Sequence, residues 1–172
     1  CDGHISGSVC SPALTNMLFS GNHAPNRGGA LYNNGSSVGK SSPVLTNVVF
    51  SGNTSAEHGG AMYNYGYSSG VSSPTLTNVV FSGNSAASSG GAILNDGMYF
   101  GVSSPTLTNV TFGNNTTTFR GGAMYNVGTA YGASNPTLKN VVLWGNSAPT
   151  GAQIYNDLAA PAINYSIVEG GD

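Results

Sequence analysis

Charge is what this chain has least of. Asp, Glu, Lys and Arg make up 6% of its 172 residues, against about a quarter in ordinary globular domains. The strong bases, Arg27, Lys40, Arg120 and Lys139, are scattered, which excludes the clustered basic footprint that nucleic acid demands. Disorder is excluded too, because aromatic and β-branched residues abound, with 9 Tyr and 6 Phe among them. No apolar run approaches the roughly 18 residues of a membrane-spanning helix, so no membrane span is expected. No signal-peptide pattern opens the chain, and we read its first residue as a processed or trimmed end. Cysteine is nearly absent. Cys1 and Cys10 both precede everything periodic in the chain, and three readings of them are open. They close a short loop as a disulfide in an oxidising compartment, they are two free thiols, or they link to another chain.

Glycine and proline, by contrast, are plentiful and fall at fixed phase. Pro12, Pro43, Pro74, Pro105 and Pro136 are each 31 residues apart, a period that means a solenoid, propeller or array. Stacking the copies aligns an apolar column at Leu14, Leu45, Leu76, Leu107 and Leu138. A second column runs through Phe19, Phe50, Phe81, Phe112 and Leu143, and a third through Leu31, Met62, Ile93, Met124 and Ile154. Val48, Val79, Val110 and Val141, with Met17 in the first copy, lie two residues before the Phe column. That spacing puts both on one face of a strand. The residue between them is expected to point outward. No 3.6-residue helical period is visible.

Asparagine forms three further columns, Asn16 to Asn140, Asn22 to Asn146 and Asn33 to Asn156. Asn tolerates left-handed backbone and suits tight corners. Stacked at about 4.8 Å, identical Asn side chains also bond to each other as ladders. A propeller blade needs four strands and about 40–45 residues, whereas each copy here offers three short strands with polar corners. The expectation is therefore an all-β parallel β-helix of about five 31-residue rungs, ending in a degenerate turn at Ala162–Val168. Residues 1–10 read as an entry or cap segment and 11–172 as one β-helix domain.

The motifs also carry a resemblance. Phe-Ser-Gly-Asn at 19–22, 50–53 and 81–84, with Phe-Gly-Asn-Asn at 112–115, resembles the FxxN motif of polymorphic outer-membrane protein repeats. Gly-Gly-Ala plus an aliphatic residue at 28–31, 59–62, 90–93 and 121–124 resembles their GGA(I/L/V) motif. The resemblance spans residues 11–168 and implies a right-handed parallel β-helix of the surface-protein or adhesin-passenger kind, extracellular or on the cell surface.

Four rungs carry an extra loop after the third Asn, which stacks Tyr65, Tyr67, Tyr99, Phe100 and Tyr131 along one corner. Two readings stand: a contact surface for carbohydrate or another subunit, and loops packed on their own rungs. Catalysis has less to stand on. Lyases and hydrolases of this fold class need clustered acids, but Asp2, Glu57, Asp96, Asp157, Glu169 and Asp172 fall at different corners or at the ends. Glu57 and His58 are adjacent in a turn, and Arg27 and Arg120 share nearly that phase. As solvated turn residues they make no active site, so no catalytic, cofactor or metal residues are expected. An ice-binding face built on Thr75, Thr77, Thr106 and Thr108 is ragged in the neighbouring rungs, and Thr is a good strand former anyway.

These features lead to a non-enzymatic structural β-helix, a surface or fibre component. Its last rung, Ile167-Val168 and the closing Glu169-Gly170-Gly171-Asp172, reads as lacking a polar lid. An uncovered rung is an open edge, and a head-to-tail contact that does not close builds filaments. Partners would be further copies, another cell-surface protein or carbohydrate. The alternative is an adhesin or carbohydrate-binding module using the aromatic loops.

Overall fold

The structure, a computed structural model, describes residues 1–170. These are strand, turn and loop, without helix. Every pairing between the named strands is parallel, and all but those of the last strands, from Ile154 on, carry the 31-residue offset of the sequence repeat. Leu45 lies over Leu76, Leu76 over Leu107 and Leu107 over Leu138. The molecule is a β-solenoid of about five turns with a partial turn behind them.

Three sheets run along its length. The largest holds the eight-residue strands Ala13–Ser20, Val44–Ser51, Thr75–Ser82, Thr106–Gly113 and Thr137–Trp144, closed by Ala162–Asn164 and Ile167–Val168. A narrow sheet stacks His23–Ala24, Thr54–Ser55, Ser85–Ala86 and Thr116–Thr117. A third stacks Leu31–Asn34, Met62–Tyr65, Ile93–Asp96, Met124–Val127 and Ile154–Asp157.

The long strand solves a phase problem. Leu76, Val79 and Phe81 are all buried, yet strict alternation would bury positions two apart, and Leu76 and Val79 are three apart. Asn78 resolves it with φ 55, as its counterparts do at 53–55. A single left-handed residue, tolerated by Asn, turns the strand a corner and resets its alternation. Both halves then face one interior. There Phe50, Phe81 and Phe112 stack with centroids 4.8 Å apart and rings within 4° of parallel.

The Gly-Gly pair of each rung has two separate reasons. The first, as in Gly59 and Gly90, adopts φ 63 and 68. The second, as in Gly60, faces the backbone of Gly91 and Ser85 so closely that a Cβ would overlap it. Rungs pack backbone to backbone at this edge, and only glycine fits.

The third asparagine column overturns the expectation of a corner. Asn33, Asn64, Asn95 and Asn126 lie inside strands of the third sheet and are fully buried. Their amides donate rung to rung at 2.7–2.8 Å and reach Asn156 at the end. An inward polar residue in a strand is satisfied here by its own copy in the next rung, so the ladder replaces the corner as the reason for Asn.

The second column is a corner and a ladder together. Asn22, Asn53, Asn84 and Asn115 each donate to the next, and Asn115 donates to Asn146. Asn146 donates to Gln153 Oε1 at 2.7 Å, and Gln153 donates to Glu169 Oε2 at 2.9 Å. Glu169 also accepts from the Gly145 amide at 2.6 Å. The expected absence of a polar lid is thus corrected for Glu169, which terminates the ladder with a carboxylate. Gly171 and Asp172 lie outside the described residues.

At the other end, Cys1 and Cys10 are joined, with Cα atoms 5.6 Å apart. The looped segment lies along one corner only: the Cys1 carbonyl accepts from Asn34, and Val9–Cys10 pairs with Lys40–Ser41. Leu14, Met17 and Phe19 are left open at that end, with Met17 39% exposed.

Candidate functional site

The inward side chains Leu76, Val79, Phe81 and Ile93 are fully buried, and two clefts lie at the flank and the end of the solenoid. The loops after the third strand stack through their own backbone, with Ser37 N–H on Tyr67 O and Ser68 N–H on Met98 O at 3.1 and 3.2 Å. Tight turns at these tips use left-handed residues, including Tyr99 and Phe100 at φ 54 and 63. The predicted aromatic ridge divides in two. Tyr65, Tyr67 and Tyr99 follow one another at 5.3 and 4.8 Å, and Phe100 stacks on Tyr131 at 5.2 Å. Tyr65 and Tyr67 are half-buried, whereas Tyr99, Phe100 and Tyr131 are 57%, 64% and 73% exposed. The first group packs on its own rungs, and the second is left exposed.

The first group runs on into a cluster that motif reading passed over. Tyr65 contacts Tyr63, and Tyr63 contacts Tyr32, at 5.7 and 5.5 Å. The Arg27 guanidinium lies over Tyr63 and Tyr65, 5.3 and 5.8 Å from their centroids, and its Nε is 3.6 Å from Glu57 Oε2. An open cleft of about 520 Å³ is bounded by Ala24, Pro25, Asn26, Arg27, Tyr32 and Glu57. Two column phases produce it: Arg27 pairs in register with His58, and Glu57 N–H bonds to Asn26 O of the rung before. Opposite charges one phase apart, in so uncharged a chain, were the signal in the sequence.

Burial sets the charge states around this cleft. Tyr63 donates to Asp96 Oδ2 at 3.0 Å. Burial foremost, and then the Asp96 charge, raises the Tyr63 hydroxyl far above the ordinary tyrosine range. Burial likewise raises the Asp96 carboxyl, opposed by hydrogen bonds from Met98 N–H and the Tyr63 hydroxyl. His58 Nδ1 is buried and, among the described residues, has no hydrogen-bond partner. Burial, then the Arg27 charge, lowers its pKa, and the imidazole is neutral at pH 7. Arg120 repeats the cation–aromatic contact with Phe119 and Tyr155 at 4.3 and 4.8 Å.

The remaining acids are dispersed. Asp2 sits 2.7 Å from His4, Asp157 3.4 Å from the Tyr125 hydroxyl, and Glu169 holds the ladder end. Among the described residues no three His, Cys, Asp or Glu converge.

The fold defines a class: an all-β, parallel β-helix repeat protein. The sequence model of the Chlamydia polymorphic membrane protein repeat matches residues 16–34, 47–64 and 78–96. Those three stretches, 56 of 172 residues, are similar to that repeat, which fits a surface-associated β-helix protein. Searches of curated proteins and of solved structures gave no match.

Proposed function

We propose that this protein is a non-enzymatic, extracellular structural β-helix whose copies stack end to end. One observation carries the reading: both outer edges of the largest sheet are open within the described residues, and their strands share one shape. Ala13–Ser20 has a neighbour on one side only, and so do Ala162–Asn164 and Ile167–Val168. Tyr165, at φ 51, stands where Asn16 stands, at φ 55, so the corner continues across the junction. A second copy in register sets Ile163 against Leu14 and Val168 against Phe19. Unpaired strand edges with apolar side chains recruit further chain, and a head-to-tail contact of this kind does not close on itself. The dispersed acids support the non-enzymatic part.

Electron microscopy and sedimentation of the purified chain across concentrations test the reading. Fibres or oligomers that Met17→Glu dissolves are expected. Strictly monomeric particles throughout would overturn it.

A second reading, an adhesin or carbohydrate-binding module, has its own support in the exposure of Tyr99, Phe100 and Tyr131. Tyr and other aromatic rings supply rigid contact area at low entropy cost.

A further inference from the structure

The cleft beside Arg27 sets a guanidinium and a carboxylate side by side. Among the described residues, no hydrogen bond ties the Glu57 carboxylate to the rest of the chain; the Arg27 guanidinium interacts with the Tyr32 hydroxyl, and its approach to Glu57 stops at 3.6 Å. Charge-assisted contacts close to about 2.7–2.9 Å when nothing intervenes. The guanidinium lies over Tyr63 and Tyr65, 5.3 and 5.8 Å from their centroids. Cation–aromatic attraction of this sort favours one placement of a long side chain without consuming its N–H donors. The half-buried Tyr32, with Pro25 and Asn26, bounds the same space. At about 520 Å³ the cleft falls in the roughly 300–1,000 Å³ range of small-ligand sites.

We infer that this cleft is a saccharide subsite for one neutral pyranose of a glycan chain. Two vicinal hydroxyls bridge the Arg27 guanidinium and the Glu57 carboxylate, each donating to the carboxylate and accepting from the guanidinium. The sugar's apolar face lies against Tyr32. A donor fork, an acceptor and an aromatic wall are what a polyhydroxylated ring requires. One cation and one anion make the site formally neutral. A uronate or sulfated sugar would gain at Arg27 and lose at Glu57, so the arrangement favours uncharged sugars. From the cleft the chain continues over Tyr65, Tyr67 and Tyr99, whose rings follow at 5.3 and 4.8 Å.

Arg120 supplies an internal control. It occupies the Arg27 phase three rungs on and bridges Thr150 as Arg27 bridges His58, but the residue before Thr150, where Glu57 stands before His58, is Pro149, so the acceptor half is absent there.

The proposal rests on the contact-surface reading and relocates its anchor from the loop tips to the cleft. The probes are hexasaccharides of neutral glucan, mannan and galactan type, and an oligogalacturonate of equal length. Binding is followed by titration calorimetry and tyrosine fluorescence. At least one neutral hexasaccharide should bind, and Glu57→Gln and Tyr32→Ala should each weaken it about tenfold or more by removing a fixed contact. Arg120→Gln should leave it within about twofold. Glu57 is exposed, so Glu57→Gln should fold as the parent does, which far-ultraviolet circular dichroism checks. Three results would overturn the subsite: no neutral hexasaccharide binds; oligogalacturonate binds and Glu57→Gln strengthens it; or binding survives both cleft substitutions and is lost on replacing Tyr67, Tyr99 and Tyr131 by Ala. The last result would leave the loop-ridge reading standing without the cleft.

Discussion

Asn84→Ala is the substitution that best separates this fold from a generic stack of strands. Asn84 is fully buried, and its side chain makes four hydrogen bonds. The amide donates to Phe50 O and Asn115 Oδ1 at 3.0 and 2.9 Å. The Oδ1 accepts from Asn53 N–H and Asn53 Nδ2 at 3.0 and 2.9 Å. At about 1 kcal/mol for each bond, the gross loss is about 4 kcal/mol. Two partners are partly compensated: Asn115 Oδ1 still accepts from the Asn84 backbone at 3.0 Å, and Asn53 Nδ2 still donates to Phe19 O at 2.9 Å. Asn53 N–H is left buried without an acceptor, which itself costs about 1–3 kcal/mol. The expected destabilisation is therefore about 3–4 kcal/mol.

Asn78→Gly is the comparison. Asn78 is exposed, and its ladder bonds to Asn47 and Asn109 are 3.2 and 3.1 Å. Glycine adopts its φ of 55 freely. Its cost should stay below about 1 kcal/mol. Urea unfolding followed by far-ultraviolet circular dichroism measures both, with the single Trp144 reporting the last rung separately. If Asn84→Ala costs under about 1 kcal/mol, or no more than Asn78→Gly, the buried ladder is not what binds the rungs.

Two further outcomes follow from the same geometry. Asp96 has its folded pKa raised, mainly by burial, so folding favours the protonated acid. That stabilisation is complete below the unfolded value of about 4 and is lost as pH rises through the folded value. Asp96→Asn should flatten the fall in stability above about pH 4 in pH-dependent urea titrations, while an unchanged slope would place the pH dependence elsewhere. Gly60→Ala should cost about 3 kcal/mol or more, because a Cβ there overlaps the Gly91 and Ser85 backbone. Gly83→Ala, in open space but at φ 62, should cost about 1–2 kcal/mol, and equal melting shifts would refute the close-packed edge.

The legible part of the fold was whatever repeats. Leu76, Val79, Phe81 and Ile93 could be assigned to the interior because each recurs every 31 residues, and a column of identical apolar residues has only one economical place to go. What repetition concealed was how a residue is used within a rung. Asn78, Asn84 and Asn95 read alike in sequence, yet one turns a strand, one bonds a corner to the next rung, and one lies buried inside a strand. Local backbone angle and burial separate them, and neither is written in residue type.

The candidate site was illegible for the opposite reason. Arg27 and Glu57 share nearly one phase in the period, but with charges so sparse they read as solvated turn residues, and Tyr32 lies in another column. Their meeting depends on the rung-to-rung offset that sets Glu57 over Asn26 and Arg27 over the Tyr63 ring. The sequence by itself determined a parallel solenoid, its period and its core, because periodic burial constrains those directly. Only the tertiary structure decided where non-repeating side chains converge, that Glu169 ends the ladder, and that residues 1–10 cover one corner. Those outcomes turn on distances between rungs, and a one-dimensional pattern does not contain them.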